Sequence, residues 1–319
     1  MTVFLQNCET GAFLAAGSIY EKSKAVILGA PMDFTVSFRP GSRSGPQAIR
    51  AASVGLEEYS MYAGCDLRDA SFYDAGDLLL PFGNVNRSLS LIEEAVDNIL
   101  TDGKFPLLLG GEHLVSLGAL RAFARHNPGM TVIHLDAHAD LRTDYLGEAH
   151  SHASVMYHAC RDLKVDLYQF GIRSATAEEM AFAKEHTHFY PFHVSQPLAK
   201  VVQTLKGKPV YLSLDIDVVD PAFAPGTGTP EPGGITSAEL LEAMSLLKDL
   251  NVIGMDLVEV APVYDPAEIT AMLAAKIVRE AILTFPRGVR GQTLKCADFG
   301  KKGSDPWCAD FGKKKGSDP

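Results

Sequence analysis

Short apolar runs alternate along this chain with longer stretches in which apolar residues return every three or four positions. Residues 25–28, 105–109, 131–135, 166–170, 210–214 and 252–260 are runs of strand length, rich in aliphatic and β-branched side chains, and they read as buried strands. Between them, Leu89, Ile92, Ala95, Val96, Ile99 and Leu100 mark an amphipathic helix. Helical spacing also covers residues 114–124 and 268–283. Pro46 suits the first turn of a helix through Ile49 and Ala52. Thr236-Ser237-Ala238-Glu239 has the form of a capping box, opening a helix that carries Leu240, Leu241, Met244 and Leu247. Strand and helix in regular succession predict an α/β fold with a parallel sheet covered on both faces. In such sheets ligands bind beyond the carboxyl ends of the strands.

Polar residues gather at those ends. After strand 131–135 come Asp136, His138 and Asp140, at every second position. If the backbone stays extended, their side chains point the same way. Two carboxylates that close repel unless they are solvated on a surface loop or hold a cation between them. Strand 210–214 ends in Asp215-Ile216-Asp217-Val218-Val219-Asp220-Pro221, a second alternating set. A helix-loop-helix calcium site does not fit it, because loop position six would be Asp220 instead of Gly and position twelve Gly226 instead of Glu. Strand 105–109 runs into Gly110-Gly111-Glu112-His113, which has neither the lysine nor the glycine spacing of a phosphate loop. Its glycines permit a tight turn that would set His113 over the sheet. Glu259 closes the last strand. Together these residues suit a pair of divalent metals, and oxygen-rich ligation with imidazole favours manganese.

Composition narrows the setting. The 319 residues are 46% hydrophobic and 21% charged, with a net charge of −10, which disfavours nucleic acid as a partner. No apolar run approaches the length of a membrane helix, and residues 1–7 offer neither a basic stretch nor a long apolar one. The five cysteines are scattered without a Cys-x-x-Cys pair, arguing against a disulfide framework or thiolate metal site and fitting a reducing cytoplasm. Arg39 and Arg43 are expected to tie their loop down, and Glu93, Glu94 and Asp97 to be solvated. Residues 296–306 recur, with one added lysine, as 308–319. This Gly/Lys/Asp-rich pair cannot bury much surface, so residues 1–290 are expected to form the catalytic domain and 291–319 a flexible tail outside the fold.

The three motifs, Gly110-Gly111-Glu112-His113, Asp136-Ala137-His138-Ala139-Asp140 and Ser213 through Pro221 with Ala224-Pro225-Gly226 and Gly234, resemble the signatures of the ureohydrolases. That family contains arginases, agmatinases and other guanidino hydrolases, and the resemblance spans about residues 24–283. Met32-Asp33 with Arg39 to Arg43, Gly55 to Tyr59, and Val258 to Asp265 look most like bacterial agmatinases. The resemblance implies a three-layer α/β/α fold on an eight-stranded, mainly parallel sheet, assembled as homotrimers or homohexamers. It implies two Mn2+ per subunit: His113, Asp136, Asp140 and Asp215 on one, His138, Asp136, Asp215 and Asp217 on the other.

The chemistry follows from that metal pair. Water bridging two divalent metals loses a proton near neutrality and can attack the resonance-stabilised guanidinium carbon. Asp140 would take the remaining proton, and Glu259 would pair with the small cationic substrate. His152 aligns with the proton shuttle of the family, with His150 as its neighbour and rival; Asp256 is expected to be structural. Acidic Asp144 and Glu148 beyond the second motif suit the ammonium of agmatine, to be cut into putrescine and urea, if Arg142 turns outward to pair with a neighbouring carboxylate. Arg142 facing inward would favour guanidinobutyrate, and arginine is the third candidate. A metal amidohydrolase and a non-catalytic metal-binding scaffold are the readings from other classes.

Overall fold

In the computed structural model, residues 5–6, 11–17 and 19–286 are described, so the expectation for the tail at 291–319 lies outside them. In chain order the strands are β1 Leu5–Gln6, β2 Ala25–Ala30, β3 Tyr59–Ser60, β4 Cys65–Asp66, β5 Phe72–Leu78, β6 Phe105–Gly110, β7 Thr131–Leu135, β8 Asp166–Phe170, β9 His188–Tyr190, β10 Pro209–Asp215 and β11 Asn251–Val258. The α-helices are α1 Gly45–Ser53, α2 Val85–Thr101, α3 Val115–His126, α4 Val155–Arg161, α5 Ala177–His186, α6 Ser195–Leu205, α7 Ser237–Leu246 and α8 Ile269–Thr284.

The main sheet runs β1-β5-β2-β6-β11-β10-β7-β8-β9, with eight strands parallel and two-residue β1 antiparallel at one edge. Side chains alternate between its faces, as the pleat requires. Ile27, Leu107, Leu109, Ile133, Leu135, Leu212 and Leu214 pack with residues of α1, α6, α7 and α8. Val26, Leu28, Leu108, Val132 and Tyr211 pack with residues of α2, α3, α4 and α5. The two buried clusters give the three layers that the alternation of elements predicts.

The central order β6-β11-β10-β7 positions the site. The chain leaves β6, skips two places to lay down β7, and returns later to fill the gap with β10 and β11. Four neighbouring strands therefore release His113, Glu259, Asp215 and Asp136 at one edge of the sheet. This gap-filling is the switch point where open α/β sheets bind ligands.

Hydrophobic patterning misses β5, Phe72-Tyr73-Asp74-Ala75-Gly76-Asp77-Leu78, because its acidic residues look like a loop. Arg50 on α1, only 1% exposed, explains how they are accommodated. Its Nε lies 2.8 Å from Asp74 Oδ2, its Nη1 2.6 Å from Asp77 Oδ1, and its Nη2 donates to the Gly76 carbonyl at 3.1 Å. The small β3, β4 and β9 and helices α4 to α6 also go unread. Cys65 is disulfide-bonded, a bond that the scattered cysteine spacing does not predict, whereas Cys160 is a free thiol. Arg43 pairs with Asp33, tying the loop as expected. Arg125 bridges Glu93 and Asp97, which are therefore not merely solvated.

Candidate metal centre and active site

The acidic motifs do not converge through the strand pleat. β7 ends at Leu135 and β10 at Asp215, and each chain then turns around its own aspartate. Asp136 Oδ1 accepts the His138 N–H at 2.5 Å, and Asp215 Oδ1 accepts the Asp217 N–H at 2.8 Å. Both are side-chain turns of the kind short aspartates favour. Asp140 then adopts the left-handed conformation, φ 53°. The extended backbone expected across 136–140 is thus replaced by a turn, yet the residues still meet. Asp217 Oδ1 accepts the Ala137 N–H at 3.0 Å and sews the two motifs together.

His113, Asp136, Asp140, Asp215 and Asp217 are all buried. Around His113 Nδ1 stand Asp136 Oδ2 at 3.0 Å, Asp140 Oδ2 at 3.2 Å and Asp215 Oδ2 at 3.3 Å. None is in hydrogen-bonding geometry, so a fully buried ring nitrogen is left orphaned among three carboxylates. Such an atom is costly to bury without a partner. A cation accepting electron pairs from all four groups fits the arrangement. On the neighbouring side, His138 Nδ1 lies 2.9 Å from Asp217 Oδ2 and 3.5 Å from Asp136 Oδ1. Two sets of donor atoms are each gathered within 4.8 Å: His113, His134, Asp136 and Asp140, and then Asp136, His138 and Asp217. Asp136 belongs to both.

Electrostatics point the same way. Burial beside Asp217 and Asp136 pushes the Asp215 carboxyl well above the ordinary carboxylate range, and burial beside Asp136 raises Asp217. Metal charge at the centre would return both to the ionised form.

His134 enters the first set although the motifs do not single it out. Both its ring nitrogens are engaged, Nε2 with Asp136 Oδ2 at 2.9 Å and Nδ1 with Gln169 Nε2 at 3.1 Å. It therefore buttresses Asp136, where the orphaned His113 is free to ligate. Asp256 is structural, as expected: it accepts from the Tyr211 hydroxyl at 2.7 Å and from Ser213 Oγ at 2.9 Å, and Ser213 Oγ lies 3.0 Å from His113 Nε2.

A cavity of about 300 Å³ opens over the cluster, lined among others by His113, His138, Asp140, His152, Asp215, Asp217 and Glu259. Glu259 sits just past β11 with φ 64°, and its Oε1 accepts the His113 backbone N–H at 2.8 Å. Burial pushes its carboxyl up to about 8. His152 is on the wall, where burial lowers its imidazole below the ordinary value and favours the neutral form at pH 7. His150 is absent from that lining; it engages Asn86 Oδ1 at 2.8 Å and Arg121 Nη2 at 3.4 Å.

The outer part of the cavity departs from expectation. Arg142 pairs with a neighbouring carboxylate as expected, its Nε 3.8 Å from Glu179 Oε2 and its guanidinium over the Tyr145 ring, but it does so among the residues that line the cavity. Asp144 and Glu148 are not among the lining residues and serve their own loop, accepting the Gly147 and His150 N–H groups. The lining carboxylates beyond the cluster and Glu259 belong to Glu179 and Glu231, and Glu179 spends its two oxygens on the Leu141 and Thr176 N–H groups at 3.0 and 2.8 Å. Sequence spacing could not find these two glutamates, because they arrive from α5 and from the loop after β10.

Carboxylates and imidazoles gathered where a cation fits, at the carboxyl edge of a doubly covered parallel sheet, suit a metal-dependent hydrolase, and comparison with known proteins makes this one a ureohydrolase. The chain belongs to the Arginase family, whose profile matches residues 23–284. It is 54% identical to the agmatinase of Halalkalibacterium halodurans, over 85% of this chain and 95% of that protein. The agmatine ureohydrolase of Thermoplasma volcanium superposes with a TM-score of 0.77 at 35% identity, covering 86% of this chain and 93% of that one. The proclavaminate amidino hydrolase of Streptomyces clavuligerus gives 0.81 at 33% identity, covering 87% and 97%.

Proposed function

We propose that this enzyme hydrolyses agmatine to putrescine and urea with two manganese ions, one held by His113, Asp136, Asp140 and Asp215 and the other by His138, Asp136, Asp215 and Asp217. The observation that carries the reading is the orphaned His113 Nδ1 among three carboxylates at the floor of a cavity that also holds Glu259 and His152. When bound, the metal pair supplies the Lewis acidity that ionises water near neutral pH. Burial pushes the Glu259 carboxyl up to about 8, and the arriving guanidinium cation favours its ionised form, which accepts hydrogen bonds from the guanidinium and turns its carbon toward the cluster. Asp140 takes the proton left on the attacking oxygen as that carbon becomes tetrahedral. His152 gives a proton to the departing amine, without which the amine would leave as a strongly basic anion. Assembly as trimers or hexamers in the cytoplasm belongs to the same reading.

Agmatine is favoured because the relatives named above include an agmatinase and an agmatine ureohydrolase, and because Glu179 and Glu231 give the outer cavity negative charge that suits an ammonium. A second reading rests on Arg142, which lines the same cavity and suits the carboxylate of guanidinobutyrate. Its pairing with Glu179 offsets that charge. Urea release from agmatine, guanidinobutyrate and arginine, assayed side by side with manganese, separates the two. Agmatine should lead in kcat/KM by at least roughly tenfold, about 1.4 kcal/mol of differential transition-state binding. Preference for either carboxylate-bearing compound overturns the substrate and leaves the metal chemistry standing.

A further inference from the structure

We propose that Thr35, held by Glu112, is a positioning residue that decides which ring nitrogen of His152 carries the proton; this rests on the reading of His152 as proton donor. Thr35 lies in the loop after β2, and Glu112 is fully buried in the turn after β6. Glu112 Oε1 accepts the Phe34 N–H at 3.1 Å, and Oε2 accepts the Thr35 N–H at 2.8 Å. The Thr35 hydroxyl also donates to Oε2, at 2.6 Å. A hydroxyl has one proton and two lone pairs. With its proton committed to Glu112, Thr35 Oγ1 can only accept from anything else.

Two groups of His152 approach those lone pairs. The backbone N–H donates to Thr35 Oγ1 at 3.0 Å, and ring Nδ1 lies 3.3 Å from the same oxygen. Nδ1 must then be the protonated nitrogen of the neutral ring. Nε2 is left with its lone pair, 3.2 Å from Ser37 Oγ, and both residues line the cavity. The basic nitrogen is thereby kept on the side where a proton is to be collected and handed to the departing amine. The opposite tautomer would present an N–H there, with no lone pair to load.

Thr35→Val removes the oxygen and keeps the shape, and Thr35→Ser keeps the oxygen. Thr35→Val should lower kcat by about tenfold or more, within the range a general acid contributes, while KM and manganese content hold. Thr35→Ser should recover most of the loss. Glu112→Ala serves as a second variant: with the acceptor gone, the Thr35 hydroxyl is free to donate to Nδ1 and the tautomer is no longer fixed. Side-chain 15N shifts of His152 in metal-free, histidine-labelled protein read the tautomer directly. Wild type should show a protonated Nδ1 and a bare Nε2, a pattern lost in both Thr35→Val and Glu112→Ala. An unchanged pattern in both variants overturns the proposal, as does a Thr35→Val enzyme with full kcat where His152→Ala is crippled. A nearly silent His152→Ala instead defeats the reading of His152 as proton donor, and the 15N pattern still decides what Thr35 does.

Discussion

Glu259 Oε1 accepts the backbone N–H of His113 at 2.8 Å, joining the carboxyl ends of adjacent strands β11 and β6. On the proposed reading, one oxygen of the carboxylate assigned to the guanidinium is thus also a strut for a residue assigned to the metal. Glu259→Gln separates the two roles, since the amide oxygen can still accept from His113 while the charge is gone. The variant should keep its metals by elemental analysis and lose about a hundredfold or more in kcat/KM, because truncating one partner of a buried charge pair costs on the order of 2–5 kcal/mol. Retained kcat/KM would remove Glu259 from the substrate site.

Metal-free protein should become less stable as pH rises. Burial lifts Glu259 from its ordinary range to about 8, and lifts Asp215 and Asp217 in the same direction. An acid whose folded pKa exceeds its unfolded one binds more protons when folded, so stability is greatest below the unfolded value and declines through the folded one. His113 and His138, buried but raised by their carboxylates, likewise lose stabilisation as pH rises. His150 and His152, lowered mainly by burial, act against the trend near pH 6.5. The melting temperature of chelator-treated protein should therefore fall from pH 5 to pH 8.5, and saturating manganese should suppress the fall. A melting temperature that climbs with pH without metal would contradict the crowding of carboxylates.

His152→Ala and His150→Ala should behave differently. His152 lines the cavity, whereas His150 is engaged with Asn86 and Arg121 outside it. If His152 is the proton donor, as proposed, His152→Ala should reduce kcat by about two to four orders of magnitude with the fold and metals intact. His150→Ala should stay within a few-fold of wild type. Steady-state rates and circular dichroism on both variants check this, and the reverse ranking would move the proton donor.

The centre of the sheet was legible because strands β6, β7, β10 and β11 are largely apolar on both faces, and runs of strand length rich in aliphatic and β-branched residues suit a buried parallel strand better than a buried helix. Their polar ends announced the cluster for the same reason, since carboxylates following a buried strand need a stated partner. Legibility failed where a residue's partner lies far along the chain. Asp74 and Asp77 look like loop until Arg50 is placed beside them. Glu179 and Glu231 look like surface acids until α5 and the loop after β10 fold over the cavity. His134 was passed over because its role depends on Gln169, which is 35 residues away. Alternation of Asp136, His138 and Asp140 suggested the right neighbours through the wrong backbone, because a strand and an aspartate-anchored turn can both bring such residues together.

Gly111 illustrates the same limit and carries the last prediction. Beside Gly110 it reads as a hinge for a tight turn, but it is not among the residues with positive φ. The need for glycine comes from the neighbouring chain: a Cβ at Gly111 would stand 1.9 Å from the Met32 carbonyl oxygen and 2.7 Å from the Met32 nitrogen. Both are backbone atoms and cannot rotate away. The same contact is fastened by the Gly111 N–H to the Ala30 carbonyl at 3.0 Å and by the Glu112 N–H to the Met32 carbonyl at 2.7 Å. Gly111→Ala must push the turn away from the loop after β2, dragging Glu112 and His113 with it. We expect a loss of about 1–3 kcal/mol, typical of overpacking, seen as a lower denaturant midpoint, together with weaker manganese binding by titration calorimetry. Gly207→Ala is the comparison: at φ +80° it carries backbone strain but meets nothing within 4 Å, and it lies beyond α6. It should cost stability without touching the metals. If Gly111→Ala bound manganese as tightly as wild type, the close approach at Met32 would not be what places His113.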